Sequence, residues 1–181
     1  NYADRLYQLP LGVIGIAMGV ALLPALTKRL RAGAEDEANT GMNRAIEISL
    51  ALTLPAAAAL FVIPDLIVSG LLERGAFDPA DRANTSIAVM IYAAGLPAFV
   101  MIKVFSPGFF AREDTVTPMK FAGLAVAVNL VIGIGLFFAP VWFAIFSSLE
   151  GYRFVGLALA TSIAGWLNAV MLMTTLANRG Q

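Results

Sequence analysis

The chain has 181 residues, of which 59% are hydrophobic and only 13% are charged. Soluble domains carry about 45–50% apolar and about 25% charged residues, so a soluble core of this size could not bury so much apolar surface. The composition therefore predicts an integral membrane protein and not a soluble enzyme. Cysteine and histidine are absent from the sequence, which removes thiolate sites, the usual general base and the commonest metal ligand. A formal net charge of zero argues against a nucleic-acid partner.

Five apolar segments are long enough to cross a membrane. A helix rises 1.5 Å per residue, so it needs about 20 apolar residues to cross roughly 30 Å of hydrocarbon. No alternating period-two pattern accompanies these segments, which favours helices over a β-barrel. The chain opens with Asn1, without an initiator methionine, and is expected to be part of a longer protein. The sequence predicts one all-α membrane region whose spans cover about residues 6–26, 45–68, 87–110, 119–139 and 155–177.

The connections between these spans contain recognisable polar turns. A basic run ending in Gly33 closes the first span, and a polar turn is predicted at residues 73–79. Thr117 and Pro118 fit a helix N-cap followed by proline at the first helical position. The fourth connection, at residues 140–154, is unusually long and partly apolar, which is typical of a segment that lies along the membrane interface.

Lysine and arginine are distributed unequally between the two ends of the spans. Eight lie on the side of the first and third loops and the C-terminus: Lys28, Arg29, Arg31, Arg44, Lys103, Arg112, Lys120 and Arg179. Four lie on the other side: Arg5, Arg74, Arg82 and Arg153. The positive-inside rule then places the first and third loops in the cytoplasm, with Asn1 outside and Gln181 inside.

The first span carries polar and small residues spaced to fall on one helical face: Arg5, Gln8, Gly12, Gly15 and Gly19. Glycines at this spacing favour close helix packing. Arg5 lies beside Asp4 at a membrane entrance, and two interpretations remain open for it. It is either an interfacial anchor that reaches toward water, or a guanidinium fork that faces an aqueous cavity and binds phosphate or carboxylate.

Two neutral polar side chains lie inside the fourth and fifth spans. Asn129 and Thr161 fit hydrogen bonding between helices, which is the usual role of such groups in lipid. Their oxygens also suit a hard cation such as Na⁺, although neither span contains a carboxylate that would complete the site. Lys103, near the end of the third span, is interpreted as an interfacial anchor.

Four sequence blocks share their order and spacing with a known family. They are YADRL from residue 2, RGAF from residue 74, KVFSPGFFAREDT from residue 103 and VGLALATS from residue 155. Together they resemble the MurJ (MviN) family of lipid II flippases, which belongs to the multidrug/oligosaccharidyl-lipid/polysaccharide exporter superfamily. The resemblance covers essentially the whole chain and aligns it with helices eight to twelve of a fourteen-helix protein.

This resemblance implies a two-lobe, alternating-access transporter of the bacterial inner membrane, with the chain forming part of the C-terminal lobe. Such a protein moves lipid II, a polyprenyl diphosphate carrying a disaccharide-peptide, from the cytoplasmic to the periplasmic leaflet among the membrane lipids. An N-terminal lobe, absent from this chain, would supply partner arginines. Two alternatives are an exporter of drug cations or lipid-linked polysaccharide, and a membrane assembly subunit that transports nothing.

The resemblance also implies roles for individual residues. Arg5 corresponds to a cavity arginine of the family and would contact the substrate diphosphate, with Asp4 and Gln8 as neighbours. Some relatives have an acid at the position of Gln8, so an arginine–glutamate pair is not expected here. Asn129 and Thr161 are the nearest matches to a sodium site found in some members. Apart from this coupling or structural Na⁺, no cofactor is implied.

Overall fold

The computed structural model describes residues 2–72, 79–138 and 152–179, and every regular element in these ranges is helical. The predicted polar turn after residue 72 and nearly all of the long connection at residues 140–154 lie outside the described residues. In chain order the elements are α1 (Tyr2–Leu11), a π-helical segment (Gly12–Ile16), α2 (Ala17–Arg31), α3 (Glu35–Val62), α4 (Pro64–Leu72), α5 (Pro79–Phe110), α6 (Val116–Phe138) and α7 (Tyr152–Asn178).

Five helical stretches in the described ranges are long and apolar enough to cross a membrane. They are Leu6–Arg31, Glu35–Val62, Thr85–Phe110, Val116–Leu136 and Val155–Asn178. The predicted all-helical membrane fold with five spans is therefore confirmed. The first span ends as its basic run and glycine predict, because Gly33 adopts a φ of 72° just after α2.

The second span differs from the predicted range of residues 45–68. Its helix begins ten residues earlier, at Glu35, and ends at Val62. Ile63 then leaves the helical region with φ −123° and ψ 43°, and Pro64 starts the separate helix α4. The residue before a proline is sterically disfavoured in the helical region, whereas proline itself suits the first position of a new helix. A hydropathy pattern does not register this break, because both sides of it are apolar.

The core of the structure forms around α5. This helix contacts α1, α2, α3, α4 and α7, whereas α6 packs mainly against α7. Side chains all along α5 are fully buried, including Val89, Leu96, Val104 and Phe109. The central position of α5 means that neighbouring helices are placed by the way they pack on it.

Candidate functional site

An aromatic cluster holds α1 against α5. The Tyr7 ring stacks on Tyr92 with a centroid distance of 4.7 Å and an interplanar angle of 25°, and it lies 5.7 Å from the Phe99 ring. Aromatic pairs at such distances stabilise a contact beyond the area that they bury. The cluster therefore fixes the first helix close to Arg5, which lies two residues before Tyr7.

The structure brings only part of the predicted diphosphate site into view. The backbone of Asp4 and Arg5 belongs to α1, but the side chains of both residues lie outside the described part of the chain. Gln8 is exposed on the same helix. The helix thus presents a polar, exposed position one turn after Arg5.

The predicted stripe of glycines does not form one packing face. A Cβ added at Gly15 would lie 3.1 Å from Cγ of Lys103 on α5, whereas one added at Gly12 would meet no atom within 4 Å. At Gly19 the nearest atom is the Lys103 carbonyl oxygen, at 4.0 Å. The π-helical segment explains this result, because its wider turns hold more residues than an α-helix and rotate Gly15 away from the direction of Gly12.

Lys103 has more contact with the first span than an interfacial anchor needs. Its Cβ and Cγ lie against Gly15 in the π-helical segment, and its side chain is nevertheless exposed. Sequence reasoning missed this pairing, since it depends on which helices are neighbours. The sequence is compatible with a contact between Lys103 and Gly15, but it does not predict that contact.

The other predicted pair does meet. The Asn129 amide nitrogen on α6 donates a hydrogen bond of 3.3 Å to the Thr161 hydroxyl on α7, and that hydroxyl donates to the Leu157 carbonyl at 2.9 Å. The pair therefore forms the interhelical hydrogen bond that the sequence allowed. The part of the chain that the structure describes contains no group of three or more acidic side chains that could hold a metal ion.

A second polar contact, which sequence reasoning missed, joins α5 and α7. The Ser162 hydroxyl donates to the Ile91 carbonyl at 3.0 Å, and the Trp166 indole nitrogen donates to the Ala94 carbonyl at 2.9 Å. Pro97 lies inside α5 and lacks an N–H group, so the helix loses a backbone hydrogen bond at this level. Donors from α7 thus reach backbone carbonyls of α5 just before the proline.

Asp114 organises the turn between α5 and α6. Its carboxylate accepts hydrogen bonds from the Thr117 backbone N–H at 3.0 Å, the Thr117 hydroxyl at 2.7 Å and the Arg179 guanidinium at 2.8 Å. These bonds, with the Thr117 backbone bond contributing most, hold the pKa of Asp114 well below its usual range. Arg179 also lies 5.4 Å from the Phe109 ring centroid, which suits a cation–π contact.

This geometry corrects the predicted start of the fourth span. The capping side chain is Asp114, and Thr117 is a capped residue inside the first turn of α6. Pro118 also lies in that first turn, where a missing N–H group costs no helical hydrogen bond. Threonine before proline resembles a helix start, but an aspartate three residues earlier competes for the same backbone N–H group.

Comparison with known proteins identifies the family. The protein-family model described as "Lipid II flippase MurJ" matches residues 1–181. The chain belongs to the MurJ family. It is 51% identical over 179 residues to the probable lipid II flippase MurJ of Rhizobium meliloti (strain 1021), covering 99% of this chain and 31% of that protein. It is 49% identical over 180 residues to the probable lipid II flippase MurJ of Rhizobium tropici, and this match covers 99% of this chain and 32% of that protein.

A solved structure agrees with this assignment. The chain resembles a structure described as lipid II flippase MurJ in an inward closed conformation, with a TM-score of 0.73 and 28% identity. The match covers 97% of this chain and 34% of that MurJ chain. The chain thus spans about a third of the length of the MurJ proteins that it matches.

Proposed function

We propose that the chain supplies five helices to a lipid II flippase, which carries this peptidoglycan precursor from the cytoplasmic to the periplasmic leaflet of the bacterial inner membrane. The observation that carries the proposal is the MurJ family match along all 181 residues. A flippase must be embedded in the membrane, and the chain has five helices that are long and apolar enough to cross it. Its remaining partners are the membrane lipids and an N-terminal lobe of the transporter.

The charge distribution supports an orientation for these helices. The eight-to-four division of lysine and arginine favours Asn1 on the periplasmic side and Gln181 on the cytoplasmic side. In this orientation Arg5 lies near the periplasmic end of the first span. The substrate diphosphate would then reach Arg5 after moving most of the way across the membrane.

Arg5 is the proposed contact for the substrate diphosphate. A guanidinium offers a planar fork of donors to several anionic oxygens and stays charged at every relevant pH. Its interaction is stronger beside low-dielectric walls than in bulk water. Support comes from the aromatic cluster that fixes α1 on α5 and from the exposed Gln8 one turn further along.

Asn129 and Thr161 are the proposed contacts for a sodium ion. They meet at the α6–α7 contact, and the Asn129 side-chain oxygen lies 4.0 Å from the position that a Cβ on Gly133 would occupy. Two neutral oxygens are fewer than the ligands that a hard cation takes. Further oxygen ligands would therefore have to come from outside these two helices.

The decisive experiment replaces Arg5 in a flippase of full family length that contains this sequence, called the full-length flippase below. Arg5→Ala should abolish most lipid II binding and transfer, and Arg5→Lys should retain part of both because it keeps the charge but loses the fork. Arg44→Ala, which removes an exposed arginine elsewhere, is the matched control. Transfer by Arg5→Ala at the parent rate, with equal expression, would show that Arg5 is only an interfacial anchor.

A further inference from the structure

An open cleft of about 430 Å³ lies along one side of α2, near the end of the first span. Its lining residues are Leu23, Pro24, Thr27, Lys28 and Arg31. Leu22 and Leu26, which pack into the core, are absent from this lining, so the cleft follows a different side of the helix. Neither the diphosphate proposal for Arg5 nor the sodium proposal uses any of these residues.

Two cations line the cleft, and their side chains have no partner among the described residues. The side chains of Lys28 and Arg31 are exposed, and neither forms a hydrogen bond or an ion pair with the described residues. Arg29 is different, because its guanidinium donates to the Glu37 carbonyl at 2.9 Å and so ties α2 to α3. The described residues that line the cleft include no acidic side chain that would neutralise the two cations.

Charge and apolar surface are separated along the length of the cleft. Arg31 ends α2, and Pro24 lies seven residues earlier, which corresponds to about 10 Å along the helix axis. Leu23 and Pro24 give the deeper half an apolar wall. The Thr27 hydroxyl between the two halves donates to the Leu23 carbonyl at 2.9 Å, so its hydrogen already has an acceptor.

General effects account for only part of this arrangement. Cations in the last turn of a helix complement its dipole, and cations beside a cytoplasmic membrane surface follow the positive-inside rule. Both effects explain why the end of α2 is basic. Neither effect requires that two cations without a partner in the described part of the chain share a cleft whose apolar wall extends deeper into the span.

We propose that this cleft binds an anionic membrane phospholipid. Lys28 and Arg31 contact the headgroup phosphate at the cytoplasmic surface, and Leu23 and Pro24 contact the upper part of an acyl chain. The polarity of the cleft matches that of a phospholipid, whose charge lies at the interface and whose chains point into the membrane. The proposal does not depend on lipid II being the transported substrate.

Native mass spectrometry of the full-length flippase with added phosphatidylglycerol or phosphatidylcholine tests this assignment. The double variant Lys28→Gln/Arg31→Gln should bind phosphatidylglycerol on the order of 30-fold more weakly, since each cation near a membrane surface contributes about 1 kcal/mol. Phosphatidylcholine binding should not change. The double variant Arg44→Gln/Lys120→Gln removes the same charge from exposed positions outside the cleft and should keep phosphatidylglycerol binding.

Competition experiments distinguish a phospholipid from other ligands that carry a phosphate group. Lipid II and inorganic phosphate, each added at constant ionic strength, should fail to displace phosphatidylglycerol. Displacement by lipid II would assign the cleft to the substrate, and an equal loss in the two double variants would reduce the effect to general surface charge. Either result overturns the proposal. The variant Lys28→Arg/Arg31→Lys keeps both charges and should bind phosphatidylglycerol normally, so loss of binding there would also contradict it.

Discussion

Helices α5 and α6 are almost equally apolar and yet occupy opposite environments. Their most apolar stretches have mean hydropathies of 2.0 and 1.9, but 56% of that stretch is buried within the protein in α5 and only 6% in α6. Lipid chains are as apolar as leucine, so hydropathy does not separate a helix that is buried among the described helices from one that is exposed on their surface. The two helices differ in burial because small residues and backbone polar groups of α5 contact a neighbouring helix.

Glycine environments show this difference directly. A Cβ added at Gly95 of α5 would lie 2.7 Å from the Ser162 hydroxyl oxygen on α7, whereas one added at Gly123 of α6 would meet no atom within 4 Å. The two residues look alike in the sequence, because each is a single glycine within an apolar run. Only Gly95 allows a neighbouring helix to approach closely.

Replacing Gly95 or Gly123 with leucine should give the largest difference in stability between two variants. Gly95→Leu forces a branched side chain into the α5–α7 contact and should reduce the free energy of unfolding by about 3 kcal/mol or more. Gly123→Leu should change it by less than about 0.5 kcal/mol. Thermal unfolding of the two full-length variants in the same detergent provides the measurement. Similar losses for both would mean that α6 is as closely packed as α5.

A second pair sharpens the comparison on the first span. Gly15→Leu should destabilise the protein by about 1–3 kcal/mol, because the new side chain must displace the Lys103 stem. Gly12→Leu, at a position open to its surroundings, should have little effect on stability. Unfolding midpoints at equal detergent concentration will distinguish the two. A loss for Gly12→Leu as large as that for Gly15→Leu would mean that the glycine stripe packs as one continuous face after all.

The smallest expected effect concerns pH and the start of α6. The folded-state pKa of Asp114 is depressed, so its stabilising contribution is present above the unfolded value of about 3.9 and is lost as pH falls through the folded value. Asp114→Asn should therefore lower stability at neutral pH, and its difference from the parent should shrink in acid below about pH 4. Unfolding measured from pH 3 to pH 7 checks this, with Glu113→Gln as the neighbouring control. A difference that does not vary with pH would exclude the charged cap.

Sequence reasoning predicted the features that depend on composition over many residues. Spans of about 20 apolar residues and four ordered motifs were sufficient for the five-helix fold and the family. The meeting of Asn129 and Thr161 also follows a general rule, since polar groups in neighbouring membrane helices tend to bond with one another. The fold and the family require no knowledge of which residue faces which neighbour.

Local features were less accessible for physical reasons. The stripe from Arg5 to Gly19 assumes 3.6 residues per turn. The π-helical segment breaks that period, and no pattern in the sequence predicts the segment. The Asp114 cap involves Arg179, which lies 65 residues further along the chain. Arg5 itself was selected by its family motif, and its side chain lies outside the described part, so its role stays a prediction.

The Trp166 hydrogen bond has a mechanical consequence for α5. Proline usually makes a helix easier to bend, because one backbone hydrogen bond is missing. Here the Ala94 carbonyl, three residues before Pro97, also accepts a bond from α7. A bend that moved this carbonyl away from the indole would break a contact worth about 1 kcal/mol. The contact with α7 therefore opposes a bend of α5 at Pro97.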